Sequence, residues 1–374
     1  MFQAASSSRP AKTTSGRQRD AFFDNAKYLA IVLVAVAHSW APLRNESRTL
    51  DAAYVLVYAF HMPAFIVISG FFSRSFDMRP DRLKRLVTGL VVPYVVYEVA
   101  YSLFRRHFGD QPDLAISLLD PLFLVWFLAA LFVWRLTTPL WKLVRYPLPL
   151  ALVLAMLASV SPRIGEDLDM QRVFQFLPFF VLGLMLKPEH FQWVRRRAMR
   201  IAAVPVFLGA AAVVWWATPR FDTRWVYHRD AAQAMDHQWW TGPLMTLVMF
   251  GAALVLTACF FAWVPGRNTW FTSLGAGTLY GFLLHGFVLW GSEYAGWYDA
   301  AWLRRPYGEI FVTVVAVTVI TLLCTAPVRR VFRFSMEPRM EWAWRRPPAT
   351  TAEGGDGKRS EDGGQANVRE SVGA

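Results

Sequence analysis

Apolar residues in this chain come in long blocks separated by short charged stretches, and that pattern limits the fold more than any other feature. The first block reads AFFDNAKYLAIVLVAVAHSWAPL over 21–43. Runs of about 18 or more apolar residues are long enough to cross a hydrocarbon core roughly 30 Å thick. With 55% hydrophobic and 18% charged residues, the chain is also too apolar for a soluble protein of its length. The predicted fold class is an all-α polytopic membrane protein in the cell membrane, surrounded by the lipid bilayer. About ten transmembrane helices are expected, at 26–43, 52–72, 84–104, 118–136, 147–161, 172–187, 199–217, 240–264, 270–291 and 308–327.

The domains follow from the flanks of this region. Residues 1–20 read as a disordered cytoplasmic arm, 21–330 as one membrane domain, and 331–374 as a basic cytoplasmic segment with a Gly- and charge-rich disordered tail from about residue 348. Lys and Arg accumulate on the cytoplasmic side of membrane proteins. Placing the N-terminus inside collects the basic loops RSFDMRPDRLKR, RLTTPLWKLVR and KPEHFQWVRRRAMR on that side. The loops PRIGEDLDMQR and TPRFDTRWVYHRDAAQAMDHQ, with acids and bases near balance, then fall outside. An even number of spans returns the chain to the inside, so both termini are predicted cytoplasmic.

The formal charge of +12 lies beside the apolar blocks and forms no separate basic domain, so nucleic acid is not expected as a partner. Cys259 and Cys324 fall inside apolar spans and suit small core residues; no metal site is predicted. A cleaved signal peptide is not expected either, because many spans follow the first.

The first span raises a chemical question. Lys27 and His38 stand eleven positions apart. At about 100° per residue they fall within roughly 20° of one another on the helix and about 16 Å apart along it. Lys27 can be a boundary lysine reaching for the surface. His38 lies deeper, and ionisable groups at such depth usually face a polar cavity. In the second span, YVLVYAFHMPAFIVISGFFSR, His61 serves either as an acid/base group or as a structural hydrogen-bonding partner. Pro63 can open the helix there and free a carbonyl, and Gly70 permits close helix approach. In the third, Arg82 and Arg85 share one helix face, either as positive-inside charge or as a phosphate clamp. His285 lies among small residues in the ninth span, and Glu98 is a buried carboxylate able to orient one of these groups.

Together these segments resemble the acyltransferase-three family of integral membrane O-acyltransferases, in particular its sugar O-acetylase-like branch. The first span is similar to a family pattern of Arg or Lys, ten residues, then His, matched here by Lys27 and His38 with Asp24 in the acidic position before them. FHMPAFIVISGFF resembles the second-span motif, and Arg82 and Arg85 in DRLKR match an Arg-x-x-Arg element. LVWFLAALF, FLPFFVLGLML and GTLYGFLLH resemble the fourth, sixth and ninth spans. The likeness covers about residues 20–330. Lys27 stands where many members carry Arg, which keeps the charge and loses bidentate contact.

The resemblance implies transfer of an acyl group, typically acetyl, from cytoplasmic acyl-coenzyme A to a hydroxyl. The acceptor would be a carbohydrate, a glycolipid or a glycosylated small molecule. Lys27, Arg82 and Arg85 would seat the coenzyme at the cytoplasmic mouth. His38 would be the general base or would carry the acyl group as an acyl-imidazole. His285 and His61 are further catalytic candidates, Asp24 and Ser69 orienting ones, and Ser69, Tyr280 and His285 candidate oxyanion donors. The rival class is a proton-coupled secondary transporter, which midplane histidines and prolines also suit, although no inverted repeat is visible.

Overall fold

The computed structural model describes residues 20–164 and 167–344, so the predicted arm and tail lie outside the described residues except for Asp20. Among the described residues every regular element is helical. Eight segments are long and apolar enough to cross a membrane, and two of the predicted spans form shorter apolar helices, Trp126–Leu136 and Pro147–Ser159. Residues 340–374 form a separate unit, of which the short turn Glu341–Ala343 is described.

Helix α1 (Ala21–Trp40) is the central element, and Asp20 caps it by accepting from the Phe22 amide at 3.0 Å. Polar residues in its first turns hold it in place. Asn25 is fully buried and uses both ends of its amide. Its Nδ2 donates to the carbonyls of Pro265 and Arg267 at 2.8 and 3.0 Å, and its Oδ1 accepts from Thr272 at 2.7 Å. A buried amide satisfied in this way fixes the rotation of α1, and with it the direction in which His38 points.

The predicted second span is two helices, α2 (Arg48–Tyr58) and α3 (His61–Ser73), broken at Ala59 and Phe60. Pro63 has no N–H for the Ala59 carbonyl, so the ladder cannot run through. Further along α3, Gly70 lies against Gly183 of the helix Met170–Met185, with Cα atoms close enough that a Cβ on either would meet the other's backbone. Gly70→Ala is expected to cost about 1–3 kcal/mol through overpacking against the Phe180 carbonyl. A lower melting midpoint and a smaller monodisperse fraction in detergent would register it.

Helix α4 (Pro80–Phe108) runs through a π turn at Val87–Val91, where the Val92 amide reaches back to Val87. Pro93, one residue on, lacks the amide that an unbroken α ladder needs, and the wider turn accommodates the gap.

The predicted span 118–136 needs correction. Only α5 (Trp126–Leu136) is helical; residues 118–125 are irregular and enter the protein, where Leu124 and Val125 are buried. The apolar run misled because residues buried among other helices need not themselves be helical. Non-helical backbone is tolerated at membrane depth when protein surrounds it and completes its hydrogen bonds.

Later in the chain come α6 (Pro147–Ser159), α7 (Met170–Met185), α8 (Arg197–Ala217), α9 (Thr241–Trp263), α10 (Thr278–Tyr294), α11 (Pro306–Leu323) and α12 (Ala326–Met336). Both cysteines are buried and free.

Candidate active site

His38 and His285, 247 residues apart in sequence, meet in the interior. His38 Nδ1 lies 3.1 Å from His285 Nε2, with the two rings nearly parallel at 17°. His285 Nδ1 in turn lies 3.0 Å from the Gly281 carbonyl one turn earlier in α10. A carbonyl only accepts, so His285 Nδ1 carries its proton and donates it. His285 Nε2 therefore holds a lone pair, and His38 Nδ1 must donate to it. That leaves the lone pair of His38 on Nε2. The chain of bonds fixes the tautomer of a buried imidazole, and His38 lines a cavity shared with His61 and Arg172, whereas His285 lines a separate, apolar one.

This cavity, of roughly 320 Å³, lies between α1, α2, α3, α7, α10 and the irregular segment before α5. Its walls are largely aromatic. Phe123 and Tyr58 lie 5.1 and 5.9 Å from the His38 ring, and Trp126 and Trp290 complete the enclosure. Tyr54 and Tyr227 share a hydrogen bond at 3.0 Å. Arg172 and Glu293 contribute charge. The Arg172 guanidinium pairs with Asp169 at 2.8 Å, donates to the Tyr227 carbonyl at 3.3 Å and lies over the Trp126 ring at 4.9 Å. His61 lines the same cavity. Its Nδ1 lies 2.9 Å from the Val57 carbonyl, which also accepts from the Phe60 amide at the helix break, so its lone pair also falls on Nε2.

Beside the cavity, His228 meets Gln175 at 3.2 Å in the loop between α8 and α9. Burial, followed by the nearby Arg172 charge, pushes its pKa down to about 4 from an ordinary 6.5. The unfolded chain therefore binds a proton between those values that the folded chain refuses. Stability from this group is complete above pH 6.5 and falls as the pH drops, by about 3 kcal/mol near pH 4. Melting midpoints of wild type and His228→Gln at neutral and mildly acidic pH check this: the wild type should lose more on acidification.

A second polar cavity, of roughly 170 Å³, lies at the end of the bundle where α1 begins. The stacking of Phe23 on Phe71 places the C-terminal end of α3 beside the start of α1. Arg82 and Arg85 line this cavity, and Arg135 from the end of α5 joins them with its Nε 3.2 Å from Ser73 Oγ. No carboxylate appears among its lining residues. Three guanidinium groups lining one cavity are a donor set suited to phosphate oxygens.

The other predicted residues lie elsewhere. Lys27 pairs with Asp24 at 2.7 Å and is not among the residues lining the arginine cavity. Ser69 lines neither cavity, and its backbone carbonyl accepts from Ser73 at 2.7 Å. Tyr280 is absent from the His38 cavity too. Arg172 and Arg135 escape a sequence reading because each lies at the edge of an apolar block and passes for loop charge. Phe123 escapes because its segment reads as helix.

No curated protein and no solved structure matches the chain. A family model described as an acyltransferase domain matches residues 20–329. That match spans both cavities and every helix from α1 to α11, and the chain belongs to the acyltransferase-three family of membrane acyltransferases.

Proposed function

We propose that the protein transfers an acyl group, typically acetyl, from acyl-coenzyme A to a hydroxyl of a carbohydrate or glycosylated acceptor, with His38 as general base. The observation that carries this reading is the bare Nε2 of His38 beside an aromatic-walled cavity, held in that state by His285. Aromatic faces combined with Arg172 and Glu293 suit a sugar, which offers C–H faces for stacking and hydroxyls for hydrogen bonding.

In the proposed step, Nε2 takes the acceptor's hydroxyl proton as the oxygen attacks the thioester carbonyl. The tetrahedral intermediate collapses with loss of the coenzyme's sulfur, which receives the proton back from the imidazolium. An ester and a free thiol result. Positive charge developing on His38 is stabilised through its Nδ1–H by His285, whose imidazole lone pair is a better acceptor than an amide carbonyl. His61 has only such a carbonyl, so the base role falls to His38. Arg172, with five N–H donors and a single carboxylate partner at 2.8 Å, is placed to donate to the intermediate's oxyanion.

Arg82, Arg85 and Arg135 would hold the coenzyme's phosphates. Ser73 in that cavity and His61 in the other are twelve residues apart on α3, about 18 Å by helical rise. The flexible arm of the coenzyme would cover that distance. The arginine cavity and the imidazole thus lie toward different depths of the bundle, and in this reading the arginine cavity would open to the cytoplasm.

Purified protein in lipid nanodiscs, given labelled acetyl-coenzyme A and a glycolipid and glycan extract, tests the reading. Coenzyme thiol should appear together with an alkali-labile label on a carbohydrate acceptor. Movement of a solute across vesicles with no loss of thioester would favour the transporter reading.

A further inference from the structure

The irregular segment before α5 is tied to α4 along its length. Arg106 Nε donates to the Leu114 carbonyl at 2.6 Å, and Tyr94 Oη donates to the Leu118 carbonyl, also at 2.6 Å. The Leu122 amide donates to Glu98 Oε2 at 2.8 Å. Tyr94 and Glu98 are four residues apart and so share one face of α4. Glu98 is completely buried, with the Ser102 hydroxyl as its neighbour besides the Leu122 amide. A carboxyl group is a costly acceptor to bury for so few donors. The place where that amide lies gives it a purpose.

Immediately after Leu122 comes Phe123 with φ of 51°. A bulky residue in the left-handed region is a genuine outlier and persists only where its surroundings impose it. Here the strained residue serves the proposed site. Its ring lies 5.1 Å from the His38 ring and stacks on Trp290 at 4.9 Å, both in the His38 cavity. Phe123 thus lies between an amide held by Glu98 and the start of α5 at Trp126, with its ring in the cavity.

We infer that Glu98 is a positioning residue for acyl transfer: through the Leu122 amide it holds the irregular segment so that Phe123 packs against the imidazole of His38. This rests on the proposed role of His38 and adds a residue that itself touches neither donor nor acceptor. What the position requires is an acceptor oxygen, because a neutral acceptor can serve an amide donor equally well in geometry. Glu98→Gln keeps that oxygen and leaves its amide nitrogen for the neighbouring Ser102 hydroxyl. Glu98→Ala removes it.

The test combines steady-state kinetics with amide hydrogen exchange on protein in nanodiscs. Glu98→Ala should lower kcat about tenfold or more, in line with the loss of a hydrogen bond to a charged group, with KM for acyl-coenzyme A unchanged. Exchange should rise over 118–125 and remain at the wild-type level in α1 and α7. Glu98→Gln should restore both readings to near wild type. A Glu98→Ala protein with wild-type kcat, or with increased exchange throughout the bundle, would overturn the inference, as would a Glu98→Gln protein as impaired as Glu98→Ala. If the wild type transfers no acyl group, it is the proposed function that fails, and the exchange pattern still decides whether Glu98 holds the segment.

Discussion

Replacing His38 with alanine is expected to lower kcat for acyl transfer by about 10²–10⁴-fold, the usual contribution of a positioned general base. The fold should survive. His38 makes one side-chain hydrogen bond, to His285, and α1 is held through Asn25 and the loop 265–272 at its other end. KM for the donor should hardly change, because the arginine cavity lies about 18 Å away along α3. This split between kcat and KM separates loss of the base from general damage. A folded His38→Ala protein that retained full activity would remove His38 from the mechanism.

The second large effect concerns donor affinity. Each charge-assisted hydrogen bond to a phosphate contributes about 1.5–3 kcal/mol, so Arg82→Ala with Arg85→Ala is expected to weaken acyl-coenzyme A binding by about 10²-fold or more. Arg135→Ala should add to the loss, since Arg135 reaches the same cavity from a different helix. Lysine at 82 and 85 should recover part of the affinity, because the charge remains and the bidentate geometry does not. Binding measured by titration in nanodiscs decides the matter. Unchanged affinity in the double variant would return both arginines to the role of ordinary positive-inside charge.

Much of this architecture is visible in the sequence because its cause is local. Apolar blocks long enough to span, the helix-breaking Pro63 and the small residue Gly70 each act on the chain around them, and each has the expected consequence. The depth of His38 follows from helical rise alone. Its partner does not: His285 lies on a helix far away in sequence, and nothing near either residue announces their 3.1 Å approach. Lys27 shows a second contact that spacing alone does not reveal. Its spacing from His38 suggests a role in the donor site, whereas three residues earlier Asp24 offers a closer charge, and the two pair at 2.7 Å. Segment 118–125 reads as helix because its residues are as apolar as a span. Hydrogen bonds from Tyr94, to Glu98, to Ser117 and from the Leu168 amide complete the backbone of an irregular path at that depth. Arg135 and Arg172 show why edge charges are opaque, since topology and recognition place the same residue type at the same position.

The central claim is that His285 holds His38 with its proton on Nδ1 and its lone pair on Nε2. Nitrogen NMR of ¹⁵N-histidine-labelled protein in nanodiscs reads this directly, with His38→Asn and His285→Asn proteins assigning the signals. The account predicts a protonated Nδ1 and a bare Nε2 for His38, and loss of that fixed tautomer when His285 is replaced. A His38 ring protonated at Nε2, or one indifferent to His285, would contradict it.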